Sequence, residues 1–206
     1  MIIIIDYGLG NLGSVKNALD KLGVNSRISK SVSDIEMADG LILPGVGAAR
    51  EGMKNLKARQ LDTLIKQAVK KGKPILGICL GMQLLMSKSE EGNVDCLNIV
   101  EGKVQKFTVL LKVPQIGWNT VTAKKNTRLF MDIPQNSYFY FVHSYYCVPT
   151  RKKIYIGETE YGTQFCSALQ NKNIFGVQFH PEKSGENGLL LLKNFTKIAY
   201  ENNTGT

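Results

Sequence analysis

Four consecutive isoleucines, Ile2 to Ile5, stand between Met1 and Asp6. A strand with one wet face alternates apolar and polar residues, so an unbroken apolar run predicts a strand covered on both sides, as in a parallel sheet sandwiched by helices. Two further short runs carry the same signal, 40–43, stopped by Pro44, and 74–79. Helical spacing fills the gaps. Val15, Ala18, Leu19 and Leu22 share a face of a predicted helix over 14–22, and Leu61, Leu64, Ile65 and Ala68 share a face of one over 56–70. A short strand over 25–29 and a short helix over 34–37 complete an alternation that specifies a parallel sheet with helices on both faces.

After Leu80 the pattern changes. A helix over 81–87 gives way to segments rich in Val, Thr, Tyr and Phe, predicting strands over 104–111, 137–148, 154–159, 165–170 and 174–179. An amphipathic helix over 188–200, carrying Leu191, Leu192, Phe195 and Ile198, closes the pattern. No repeat, low-complexity tract or linker interrupts the 206 residues. The expected architecture is α/β, one domain over 1–206 built on a mixed, mainly parallel sheet with helices on both faces.

An apolar fraction of 43% with 21% charged residues excludes a disordered or collagenous chain. No apolar run approaches the ~18 residues that span a bilayer, and the opening MIIIID has neither a basic leader nor a small-residue cleavage site, so no membrane association and no export are expected. Cys79, Cys96, Cys147 and Cys166 show no CxxC spacing and no clustering with the two histidines, which points to a reducing cytoplasm with neither a metal site nor a disulfide framework. The net charge of +9 raises the question of a nucleic-acid partner. Its short basic runs, at 70–73, 124–125 and 151–153, read instead as solvated helix ends and turns, with no aromatic stripe beside them.

Three places can carry chemistry. Gly8, Gly10 and Gly13 spell GxGxxG between a strand and a helix, the context of a dinucleotide fingerprint. The second strand ends in Lys30 rather than a carboxylate, and Tyr7 and Asn11 crowd the loop, so a structural turn or a loop facing a partner is expected, with no cofactor. The second place is Gly77-Ile78-Cys79-Leu80-Gly81, a nucleophile elbow with sulfur in place of hydroxyl. Its flanking glycines permit a sharp strained turn, and the Leu80 amide can face a developing oxyanion. A buried structural cysteine is the plainer alternative. The elbow needs a base. His180 ends an apolar strand, with Pro181 breaking the pairing and Glu182 two residues on, able to orient the ring. His143 is the competing base, but no carboxylate lies near it in sequence, and it is assigned a packing or substrate-lining role. The third place is the loop Gly45-Val46-Gly47, expected at the same sheet edge as Cys79, where its amides can supply a second oxyanion donor or simply turn the chain.

GICLGMQ, FGVQFHPE and the glycine loop, in that combination, resemble the class I glutamine amidotransferases. IDYGLGN, LPGVGA, VPQIGWN, FVHSYY and FHPEKS narrow the resemblance to the glutaminase subunits of imidazole glycerol phosphate synthases, and it runs from Asp6 to the last helix. The resemblance implies hydrolysis of glutamine to glutamate and ammonia through a cysteine thioester, with the ammonia delivered to a (β/α)8-barrel cyclase in a heterodimer. It also implies roles: Cys79 as nucleophile, His180 as base and Glu182 as its orienting acid; Gly45, Val46, Gly47 and Leu80 as oxyanion elements; Gln83, Glu91, Ser144 and Tyr145 as the glutamine site; Asn11, Tyr140 and Lys183 as the face toward the cyclase. Ala49 stands where the family usually has an aromatic residue, and Gln115 and Ile116 replace a common His-Met, departures that bear on partner fit and loop behaviour. Two other readings are a paralogous glutaminase feeding a sugar-modifying synthase, and a nucleotide- or nucleic-acid-binding module resting on GLGNLG and the positive charge.

Overall fold

The structure, a computed structural model, describes residues 1–204. Strands β1 (Ile2–Ile5), β2 (Ser26–Ser29), β3 (Gly40–Leu43) and β4 (Ile75–Ile78) alternate with helices α1 (Leu12–Lys21), α2 (Val32–Met37), α3 (Ala49–Ala58) and α4 (Leu61–Lys70). The four strands pair in parallel in the order β2-β1-β3-β4. Every side chain of the isoleucine run is buried, and the pleat sorts them. Ile3 and Ile5 join Leu41, Leu43, Met53, Leu56 and Ile65 beneath α3 and α4, whereas Ile2 and Ile4 join Val15, Leu19, Leu191 and Phe195 on the opposite face. Each fully buried isoleucine contributes about 1.5–3 kcal/mol, which is why the strand tolerates no polar residue on either side.

The rest of the chain comprises α5 (Leu80–Leu84), β5 (Lys88–Ser89), β6 (Val94–Asp95), β7 (Gly102–Lys106), β8 (Gln115–Ala123), β9 (Ser137–His143), β10 (Tyr145–Pro149), β11 (Tyr155–Glu160), β12 (Gln164–Asn171), β13 (Ile174–Val177) and α6 (Gly185–Thr204). The sheet runs β2-β1-β3-β4-β13-β12-β10-β7-β5-β6, with β11, β8 and β9 branching from β12. β13 lies parallel to β4, with Val177 opposite Ile78. The mixed sheet with helices on both faces agrees with the sequence reading.

Several boundaries differ from it. The helix expected over 56–70 takes in the last turn of α3 and the whole of α4, separated at Gln60 with φ +57°. Leu56 and Leu61 lie five residues apart, about 140° around a continuous helix, and the break lets both enter one cluster. The strand expected over 137–148 is interrupted at Ser144, because β9 pairs with β8 while β10 pairs with β7 and β12. The strand expected over 104–111 ends at Lys106, leaving Leu110 and Leu111 exposed in a loop, and β5, β6, β8 and the part of α3 before Leu56 had no counterpart in the prediction.

Candidate active site

The parallel strands β1, β3, β4 and β13 all deliver their carboxyl ends to one edge, and a cavity of about 300 Å³ opens there, lined by Val46, Gly47, Cys79, Leu80, Glu91 and His180 among others. Ligand sites of open α/β sheets gather at this edge because the loops leaving the strands converge on it.

Cys79 leaves β4 with φ +53° and ψ −110°, a conformation that penalises any residue bearing a Cβ. The strain therefore sits on Cys79 itself. Its two glycine neighbours are required for a different reason, close approach. A Cβ on Gly81 would lie 1.7 Å from the Leu43 carbonyl oxygen, and one on Gly77 would lie 2.7 Å from the Met82 nitrogen. The Cys79 N–H donates to Val177 O at 2.8 Å, fastening the elbow to β13.

Beyond the carboxyl end of β13 His180 is fully buried, and its Nδ1 meets Glu182 Oε1 at 2.8 Å. Burial opposes a charge on the ring, but the Cys79 sulfur and the Glu182 carboxylate outweigh it and raise the His180 pKa to about 10. Nε2 makes no hydrogen bond of ordinary geometry and shares the cavity wall with Cys79. Asn11 Nδ2 donates to the same Glu182 Oε1 at 3.4 Å, so the residue after the third-position glycine of the GLGNLG loop reaches the acid that orients the ring.

His143 is placed differently. Its Nδ1 lies 2.8 Å from Tyr145 O and its Nε2 3.0 Å from Gln115 Oε1. Burial pushes its pKa down to about 4, so the ring is neutral. Nδ1 must then donate to the carbonyl, and Nε2 accepts from Gln115 with that side-chain amide turned. With both nitrogens engaged, His143 is held in place, in keeping with a lining role.

The other expected residues fall around the same cavity. Val46 and Gly47 line it, while Gly45 packs behind, where a Cβ would come within 2.5 Å of Tyr7 Oη. Tyr7 in turn donates from its hydroxyl to Pro44 O at 2.8 Å. Gly10 likewise lies against Pro44 and Gly45, so the GLGNLG turn is packed onto the second glycine loop. Glu91 Oε2 accepts the Ala49 N–H at 2.7 Å, closing the loop at its other end. Ser144 and Tyr145 line the cavity at the junction of β9 and β10. Gln83 spends both N–H bonds of its amide, on Tyr145 O and on Gln178 Oε1, each at 3.0 Å. Tyr140 and Lys183 form a cation–π contact at 5.9 Å beside the site.

Two features had no counterpart in the sequence reading. Gln178, fully buried, places Nε2 3.6 Å from the Cys79 sulfur. An amide in the otherwise apolar run Phe175 to Phe179 was its available signal, since a buried side-chain amide must find partners. The second feature is an exposed stripe of Ile116, Trp118 and Tyr138 on β8 and β9, with Trp118 packed edge-on against Tyr140 at 6.0 Å. Among the described residues no helix is long and apolar enough to cross a membrane.

The family model for class-I glutamine amidotransferases matches residues 3–199. The chain is 48% identical over 198 residues to the imidazole glycerol phosphate synthase subunit HisH of Moorella thermoacetica, covering 96% of this chain and 94% of that one. It is 51% identical over 197 residues to the protein of the same name in Haemophilus influenzae, covering 95% and 96%. Among solved structures, PurLQS from Thermotoga maritima superimposes with a TM-score of 0.73 at 18% identity, over 96% of this chain and 97% of that one, a likeness of fold.

Proposed function

Because the chain belongs to the class-I glutamine amidotransferase family, we propose that it is the glutaminase subunit of an imidazole glycerol phosphate synthase, working in the cytoplasm as a heterodimer with a (β/α)8-barrel cyclase. It hydrolyses glutamine and hands the ammonia to the cyclase for histidine biosynthesis. The observation that carries this reading is the buried pair of His180 and Glu182, whose free Nε2 shares the cavity with a strained Cys79. The Cys79 sulfur attacks the side-chain carbonyl carbon of glutamine, and the charge that develops on oxygen is met by the Leu80 amide and an amide of the Val46 and Gly47 segment, with Gly45 giving that segment room. His180 gives its proton to the departing ammonia, then takes one from the water that hydrolyses the thioester, while Glu182 and Asn11 hold the ring in line. Gln83 offers its remaining carbonyl oxygen, and Glu91, Ser144 and Tyr145 complete the wall against the amino-acid end of the substrate.

Asn11, Tyr140 and Lys183 face the cyclase, and the stripe of Ile116, Trp118 and Tyr138 extends that face. Ammonia released to water would be lost as ammonium, so turnover belongs with the partner in place. Glutamate release is measured from the chain alone and with the cyclase subunit of the Moorella or Haemophilus synthase and an acceptor analogue. Release is expected to rise on addition of the cyclase, to vanish in Cys79→Ala, and to lose its dependence on the cyclase in Lys183→Ala with the triad intact. Full turnover by the isolated chain, indifferent to the cyclase and to Lys183→Ala, would refute the synthase assignment and favour another ammonia acceptor.

A further inference from the structure

We infer that Gln178 is a further catalytic residue, donating a hydrogen bond from its side-chain amide to the Cys79 sulfur, and that Gln83 holds it in that orientation. The inference rests on reading Cys79 as the nucleophile. Side-chain amides are ambiguous end for end, but here a chain of contacts fixes the direction. Tyr145 O is a backbone carbonyl and can only accept, so the atom of Gln83 that meets it at 3.0 Å is the nitrogen. The same nitrogen then donates its second hydrogen to Gln178 at 3.0 Å, which fixes that atom as the Gln178 oxygen. The other end of the Gln178 amide, 3.6 Å from Cys79 Sγ, is therefore the N–H end. Strand register makes the meeting inevitable. Val177 stands opposite Ile78, so the next residues on these parallel strands, Gln178 and Cys79, are neighbours. Gln178 is also tied down by its backbone, its N–H donating to Ser167 O at 2.9 Å. It has no exposure to water, so solvent does not compete for the bond to sulfur.

Such a donor acts where sulfur carries negative charge. Before the C–S bond forms it keeps the sulfur ionised, the form in which it is a nucleophile. In the second half of the reaction, when water has added to the thioester and the C–S bond breaks, the bonding electron pair returns to sulfur and the amide N–H meets it there. His180 holds the proton taken from water and restores the starting pair. Both steps are chemical, so Gln178 should govern kcat rather than substrate affinity.

The test compares wild type with Gln178→Met, of similar length with no polar atom, and with Gln178→Leu, shorter and likewise without a hydrogen to offer the sulfur. Iodoacetamide alkylation of Cys79 in the full chain, with Cys79→Ala as background, is expected to slow about tenfold in both variants, the low end of what a charge-assisted hydrogen bond contributes. Glutamine hydrolysis with the cyclase present is expected to lose about tenfold or more in kcat with KM held within about twofold. Thermal unfolding checks that each variant is folded, and either folded variant suffices. Unchanged alkylation, or a raised KM with unchanged kcat, overturns the inference. Absence of glutamine hydrolysis in wild type overturns instead the reading on which it rests.

Discussion

At most positions in a protein, glycine is worth less than alanine, because it surrenders more backbone freedom on folding. Position 79 should invert that order. At φ +53° and ψ −110° a Cβ is held in a sparsely populated region, at a strain cost of about 1–3 kcal/mol that glycine escapes. Against this stands glycine's entropic penalty of about 0.4–1 kcal/mol in the unfolded chain. Cys79→Ala and Cys79→Gly both delete the sulfur, so their difference isolates the backbone, and the balance leaves Cys79→Gly more stable than Cys79→Ala by about 1 kcal/mol, with outer bounds of ~0 and ~2.6. For a domain of this size that is a Tm difference of about 3 °C. Parallel thermal unfolding of the two variants, followed by circular dichroism, measures it, with glutamate release absent from both. If alanine is as stable as glycine at this position, or more so, the elbow stores no strain and the account of why the nucleophile sits on it fails.

Glu182→Gln should slow glutamine hydrolysis less than His180→Ala, since an imidazole that has lost its orienting acid is still present; comparison of kcat decides it, and the reverse order would restore His143 as a candidate base. Stability should depend on pH through His180. The folded ring binds its proton up to about 10 against an ordinary value of 6.5, so the folded state holds the extra proton in that window, and the stabilisation is complete below pH 6.5 and lost as pH rises toward about 10. Urea midpoints at about pH 6 and about pH 10 should therefore fall further apart in wild type than in His180→Asn, and equal separations would refute the coupling. NAD(H) and NADP(H) should show no saturable binding by titration, since the GLGNLG turn is packed against Pro44 and Gly45; a micromolar site would overturn this.

The parallel half of the fold was legible because burial on both faces leaves an unbroken apolar run, and Ile2 to Ile5 and 40–43 are such runs. The elbow and the His180 and Glu182 pair were legible because their members lie within five residues of one another. What escaped depended on partners distant in the chain. The break at Ser144 follows from β9 and β10 pairing with different strands, which no local pattern in an aromatic-rich segment announces. The turn at Gln60 carries neither Gly nor Pro, and helical spacing on both sides disguised it. Gln178 acquires its role only across the register between β13 and β4. Of the four cysteines, spacing alone could separate Cys79. Its distinction is geometric as well: of the four, Cys79 sits at positive φ and lines the cavity.

Identical neighbours carry no positional information. Sliding β1 by one step would replace isoleucine with isoleucine at most of its buried sites, so the run that guarantees a strand is degenerate about where that strand belongs. The instruction must come from its margin. Asp6 turns its carboxylate back to the Gly8 N–H at 3.0 Å, and Tyr7 fills a fully buried place and fastens Pro44. A slip would drag the Asp6 carboxylate into the oily site of Ile5, at the cost of an unpaired charge out of water. These two residues act as a detent. Because the same stretch leads on to Asn11 and its bond to Glu182, the alignment they enforce is also the alignment of the acid behind His180.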